Sequence, residues 1–150
     1  MTGAPAPEGR RSEALKERYI VDGDDFQAAG SASSAMKKLL RSLGVPPEAI
    51  RRAAICMYEG EINMVIHANG GEAEVAFDGE TITMTLADSG PGIPDPELAL
   101  REGWSTATDA IRDLGFGAGM GLPNMKRNSD EMTIDSTAGQ GTTITMTVRV

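Results

Sequence analysis

The spacing of apolar residues switches near the middle of this chain, and that switch restricts the folds open to it more than any other feature. From Met36 to His67 the apolar positions follow the helical repeat of about 3.6 residues, and from Ala73 to Leu86 they alternate with a repeat of about 2. Met36, Leu39, Leu40 and Leu43 give a first helix, capped by Asp24 or Asp25 and stopped by Gly44. Pro46-Pro47 opens a second, from Glu48 to about His67, which carries Ile50, Ala53, Met57, Ile62, Val65 and Ile66 and ends at Asn69-Gly70-Gly71. Beyond it, Ala73, Val75 and Phe77 pair with Ile82, Met84 and Leu86 across the turn Asp78-Gly79, a hairpin with one buried face. Leu122 to Asp130 reads as a third helix. Met132 and Ile134, the turn Gly139-Gln140-Gly141, and Ile144 to Val150 form a second hairpin, and a short strand around Arg18 to Val21 precedes the first helix. Hairpins separated by helices predict an α/β two-layer sandwich of the α+β kind, with every helix on one face of a mixed sheet.

Charge narrows the partners. The 150 residues hold 14 Lys and Arg against 22 Asp and Glu, a net charge of −8, the wrong sign for phosphate backbones or anionic lipid. No nucleic acid and no membrane are therefore expected as partners, and no apolar run approaches the roughly 20 residues that span a bilayer. Residues 1–13, rich in Pro, Gly and Ala, read as a disordered leader before one domain over 14–150. The single cysteine, Cys56, has no internal disulfide partner, which fits the reducing cytoplasm, and it reads as a small core residue. Aromatics make up only 4% of the chain, so nine Met join Ile, Val, Leu and Ala in filling the core.

The chemistry-bearing residues fall into four groups. Glu59 and Asn63 lie four apart on the second helix and share a face; Glu can accept a proton from a hydroxyl, and the Asn carbonyl oxygen is a hard ligand suited to Mg²⁺. His67 extends that row and, near a helix C-terminus, reads as a residue that offsets the dipole. After a strand comes Asp88-Ser89-Gly90-Pro91-Gly92. Gly115 to Gly121 is a glycine run opening a helix, the arrangement that lets backbone N–H groups cradle an anion. Gly141-Thr142 leads into the last strand. The glycine run is neither a P-loop, since Leu122-Pro123 follows its last glycine, nor a dinucleotide fingerprint, since Met120 stands where the third glycine belongs. The stretch from Asp88 to Gly121 is long and irregular, as functional loops are.

In this order the four groups resemble the ATP-binding domain of the GHKL family, the Bergerat fold shared by gyrase, histidine kinases and the mismatch-repair ATPase. The resemblance covers about residues 17–150. Asp88-Ser-Gly-Pro-Gly-Ile-Pro-Asp-Pro-Glu-Leu-Ala, Gly103-Trp-Ser-Thr-Ala and Gly119-Met-Gly-Leu-Pro-Asn-Met-Lys-Arg127 are most similar to the small anti-sigma regulatory serine kinases of the RsbT/RsbW type. The resemblance implies ATP and Mg²⁺ as cofactors. It gives Glu59 the role of general base, Asn63 the metal, Asp88 the adenine amino group with Thr142 in support, Gly90 and Gly92 the passage of the base, and Gly117, Gly119 and Gly121 the phosphates. Residues 93–115 would be an ATP lid carrying Trp104. Sigma-binding members place an arginine where this chain has Gly117, so that phosphate contact is not carried over; Lys126 and Arg127 are the nearby cations. The implied partner is a small antagonist protein or a sigma-type regulator, with a homodimer compatible. Three activities stay open at this point: a serine/threonine kinase, a nucleotide-gated sequestering module, and a stand-alone histidine-kinase-type ATP module.

Overall fold

The computed structural model describes residues 15–24, 29–68, 70–90, 121–137 and 139–150. The leader, the lid segment, and Gly92, Gly117 and Gly119 lie outside them. Five strands form one sheet: β1 (Leu15–Asp22), β2 (Gly70–Phe77), β3 (Thr81–Asp88), β4 (Glu131–Thr137) and β5 (Gly141–Arg149), in the order β1-β2-β3-β5-β4. Helices α1 (Ser31–Ser42), α2 (Pro47–Ala68) and α3 (Gly121–Asn128) pack against it.

The sheet corrects one expectation. Every described pairing is antiparallel, not mixed. A strand–helix–strand crossover does make β4 run parallel to β3, but β5 inserts between them, so no parallel pair is hydrogen-bonded. The first hairpin closes on the Asp78 carboxylate, whose Oδ1 accepts from the backbone N–H groups of Glu80 at 2.9 Å and Thr81 at 2.8 Å.

Alternation decides which face of the sheet meets the helices. Ala73, Val75, Ile82, Met84, Leu86, Ile144, Met146 and Val148 are buried, while Thr83, Thr85 and Thr145 between them are half-exposed. Met36, Leu40, Ala53, Met57, Met64 and Met125 come down from the helices into the same cluster. Leu43 is 41% exposed at the C-cap of α1, where the helical repeat has already ended, and Ile20 on β1 and Val150 at the end of the last hairpin are exposed as well.

The start of α1 departs most from the sequence pattern. The helix begins at Ser31, and its N-cap Gly30 has no side chain to offer. The carboxylate of Glu61 on α2 takes that place: Oε2 accepts from the N–H groups of Gly30 and Ala32, both at 3.1 Å, and Oε1 from Ser33 at 2.8 Å. Glu61 is buried, 2% exposed. Asp24 lies outside the helix, its N–H bonded to Asp22 Oδ1 at 2.8 Å.

Candidate functional site

The end of β3 and the start of β5 meet in register, Asp88 opposite Thr142. Asp88 Oδ1 accepts from the N–H of Gly90 at 2.9 Å and from that of Thr142 at 3.2 Å. Among the described residues Oδ2 accepts no bond, which leaves a carboxylate oxygen, fixed by its twin, free to take a donor from a ligand. Thr142 Oγ1 shares a hydrogen bond with Ser136 Oγ at 2.9 Å, Ser136 being its neighbour on β4. Ser136 is absent from the sequence reading. Its signal was the register of the second hairpin, which sets it opposite Thr142 across the glycine turn.

Two glycines make this corner. Gly141 has φ of +119°, a backbone that side chains rarely adopt, and a Cβ there would overlap the Asp88 carbonyl oxygen. A Cβ on Gly90 would fall 2.6 Å from that of Ala68, so the chain leaving β3 lies directly against the last residue of α2. A fixed carboxylate oxygen is what an exocyclic amine donor requires.

Glu59, half-exposed on α2, faces the start of α3. Its Oε2 accepts from Asn124 Nδ2 at 2.8 Å, and Asn124 Oδ1 in turn accepts from the Arg127 guanidinium at 2.6 Å. A Cβ built on Gly121 would stand 3.9 Å from Glu59 Oε1. The last glycine of the run therefore sits beside the carboxylate. The far end of α3 is tied to α2 as well, with Arg52 Nε donating to the Asn128 carbonyl at 3.2 Å and Arg52 pairing with Asp130 at 3.2 Å. Asn124 was missed in the sequence because a short helix without an acidic first turn gives no hint of which face meets α2. Arg127 belongs to the Glu59 chain of contacts, and Lys126 is exposed at the helix end.

Asn63 follows Glu59 by one turn of α2 and is half-buried. Among the described residues no three His, Cys, Asp or Glu side chains converge as a metal site, and an ion held by one carboxamide oxygen, phosphate oxygens and water needs no such cluster. The oddity of Gly60 inside this helix is explained by contact, since a Cβ there would run into the Leu86 side chain of β3. Gly60 sets α2 close against the sheet.

Three further groups are settled by burial. The Cys56 thiol is pushed up from 9.0 to about 12 by desolvation, and its Sγ lies 3.6 Å from the Met125 carbonyl oxygen, which makes it a core residue and not a nucleophile. Desolvation also lowers the pKa of His67 from its ordinary 6.5. Burial thus disfavours the imidazolium, against its expected role as a cation at the helix end. The Glu61 carboxyl is raised by burial, although its three backbone donors pull the other way.

No helix among the described residues is long and apolar enough to cross a membrane. The histidine kinase-like ATPase domain matches residues 24–148. The serine/threonine-protein kinase RsbT of Bacillus subtilis is 37% identical over 86 residues, 55% of this chain and 59% of that protein. An anti-sigma F factor of Thermoanaerobacter sp. is 32% identical over 100 residues, 67% of this chain and 62% of that protein. The chain thus spans less than two thirds of the length of either relative. Among solved structures, the RsbU and RsbW domains of a Mycobacterium tuberculosis protein superpose with a TM-score of 0.62 at 18% identity, covering 90% of this chain and 32% of that one, which shows the fold. The match over residues 24–148 takes in the three helices, the site and nearly all of strands β2 to β5, leaving out β1, and the chain belongs to the histidine kinase-like ATPase domain family.

Proposed function

We propose that this chain binds ATP with Mg²⁺ and phosphorylates a serine or threonine of a small antagonist protein, as a cytoplasmic kinase of a partner-switching pathway that governs a sigma factor. The observation that carries the reading is the meeting of Glu59 with Gly121. It sets a carboxylate at the point where a glycine run, the natural phosphate cradle, turns into a helix N-terminus. The printed names of the relatives, a serine/threonine-protein kinase and an anti-sigma F factor, support the same class.

In this reading Asp88 Oδ2 takes the adenine amino group, and Thr142, braced by Ser136, lines the same corner. Gly90 and Gly92 would let the backbone pass the base, while Gly121 with Gly117 and Gly119 would receive the phosphates. Asn63 would hold the cation through its carbonyl oxygen. Bound MgATP would supply the electrophilic phosphorus and a stable leaving group. Glu59 accepts the proton of the attacking hydroxyl, and Asn124 keeps the carboxylate turned toward the cradle.

The test is incubation with γ-labelled ATP and small antagonist proteins of the source organism, followed by phosphoamino-acid analysis. Phosphoserine or phosphothreonine on a partner is the expected result. A tight ATP-dependent complex without transfer would replace the kinase by a sequestering module, and acid-labile phosphohistidine would replace it by a histidine-kinase-type module.

A further inference from the structure

The α1 and α2 helices leave between them a groove of about 1180 Å³, and Glu59 lines it at one end. Its floor is apolar: Val45 and Ile50 are buried, Ile55 is half-buried, and Tyr58 stands 42% exposed at the side. Its rim is cationic. Lys37, Lys38 and Arg41 follow one another along α1, and among the described residues none of the three makes an ion pair. Arg51 also lines the groove, but its charge is offset by Glu48 at 2.7 Å. This concentration lies on a chain of net charge −8, so the groove attracts anions that the rest of the molecule repels.

Charge and shape select the occupant. Both a nucleic acid and an acidic peptide would answer the cationic rim, but only a peptide with apolar as well as acidic side chains also matches the aliphatic floor. We propose that the groove between α1 and α2 is the docking site for an acidic amphipathic segment of the protein partner, which aligns the hydroxyl-bearing residue with Glu59. The inference rests on the proposed kinase reading for that alignment alone, since docking itself needs only the groove.

The experiment uses fluorescence anisotropy with the intact chain. The probe is a fluorescein-labelled 16-residue peptide of Glu and Leu with one Ser, alongside the same peptide with Gln for Glu and a single-stranded oligonucleotide of equal length. The acidic peptide should bind saturably and lose about tenfold or more in affinity in the Lys37→Glu, Arg41→Glu double variant, and again when NaCl rises from about 0.05 to about 0.3 M. The Gln peptide should bind at least about tenfold more weakly than the acidic one. ATP affinity by calorimetry should be the same in wild type and variant, which separates this test from that of the nucleotide site. Failure of the wild type to bind the acidic peptide, indifference to charge reversal, or tighter binding of the oligonucleotide would overturn the proposal. Loss of ATP binding in the variant would overturn it too, by making the groove part of the nucleotide site. Normal peptide docking by a chain that binds no ATP would instead sink the kinase reading and leave the groove standing.

Discussion

The two halves of the site are built from different materials. At the Asp88 corner every described fixing contact engages the backbone or a neighbouring strand: two N–H groups hold the carboxylate, strand register sets Thr142 opposite it, and Gly141 admits the turn. At the Glu59 corner the contacts run from side chain to side chain, through Asn124 to Arg127. Backbone geometry survives most substitutions and side-chain chains do not. On the proposed function, the first half would recognise an invariant base and the second would carry chemistry that depends on one rotamer.

The largest effect should come from the side-chain half. Glu59→Ala is expected to retain ATP binding and lose roughly 10²- to 10⁴-fold in phosphotransfer, about 3 to 5 kcal/mol. Calorimetry beside a labelled-phosphate assay reads both. Loss of ATP affinity in this variant would make Glu59 part of the binding corner and dissolve the distinction between the halves.

Next is the other carboxylate of α2. Glu61→Ala strands three backbone N–H groups at the start of α1, and a loss of about 2 to 4 kcal/mol in urea unfolding is expected. The sign of its pH dependence follows from its raised pKa. The folded state holds the proton more tightly than the unfolded, so the stability contributed by this ionisation is full below the ordinary 4.5 and declines as pH rises through the folded value. Glu61→Gln should flatten that decline. A variant whose pH profile matches the wild type would show that other groups set it.

Asp88→Asn sharpens the contrast further. Its amide oxygen can still accept from Gly90 and Thr142, so the fold should persist, while the amide nitrogen presents a donor where the adenine amine needs an acceptor. ATP affinity should fall by about 1.5 to 3 kcal/mol with an unchanged urea midpoint. Unaltered affinity would remove adenine from this corner. The smallest effect belongs to Asn124→Ala, which removes one hydrogen bond from Glu59 and should slow phosphotransfer by about fivefold, near 1 kcal/mol, without altering ATP affinity. A loss as large as that of Glu59→Ala would make Asn124 a reacting group, not a positioning one.

The sequence was most readable where one period ruled. Both hairpins follow from alternation, because a strand with one buried face cannot slip by a residue without exposing it. Pro47 and Gly44 marked their helix ends. Asp88, Gly90 and Thr142 lie together because short motifs at strand ends travel with the strands. The failures share a cause. Asp24 and Asp25 are capping residues by type, yet the working cap of α1 arrives from Glu61, whose partners precede it by 28 to 31 positions. Asn124 and Ser136 matter through the element opposite them, which no local spacing records. The antiparallel sheet was hidden in the same way, since only the insertion of β5 decides which strands touch.

The abundance of buried methionine has a mechanical consequence. Met36 on α1, Met57 and Met64 on α2, Met84 on β3, Met125 on α3 and Met146 on β5 are all buried, which places a thioether in each layer. Unbranched side chains with soft sulfur re-pack at little cost where β-branched ones would jam. The joint between α2 and the sheet is therefore filled by side chains that can change rotamer, so a small change of shape on either side should be taken up within the core itself.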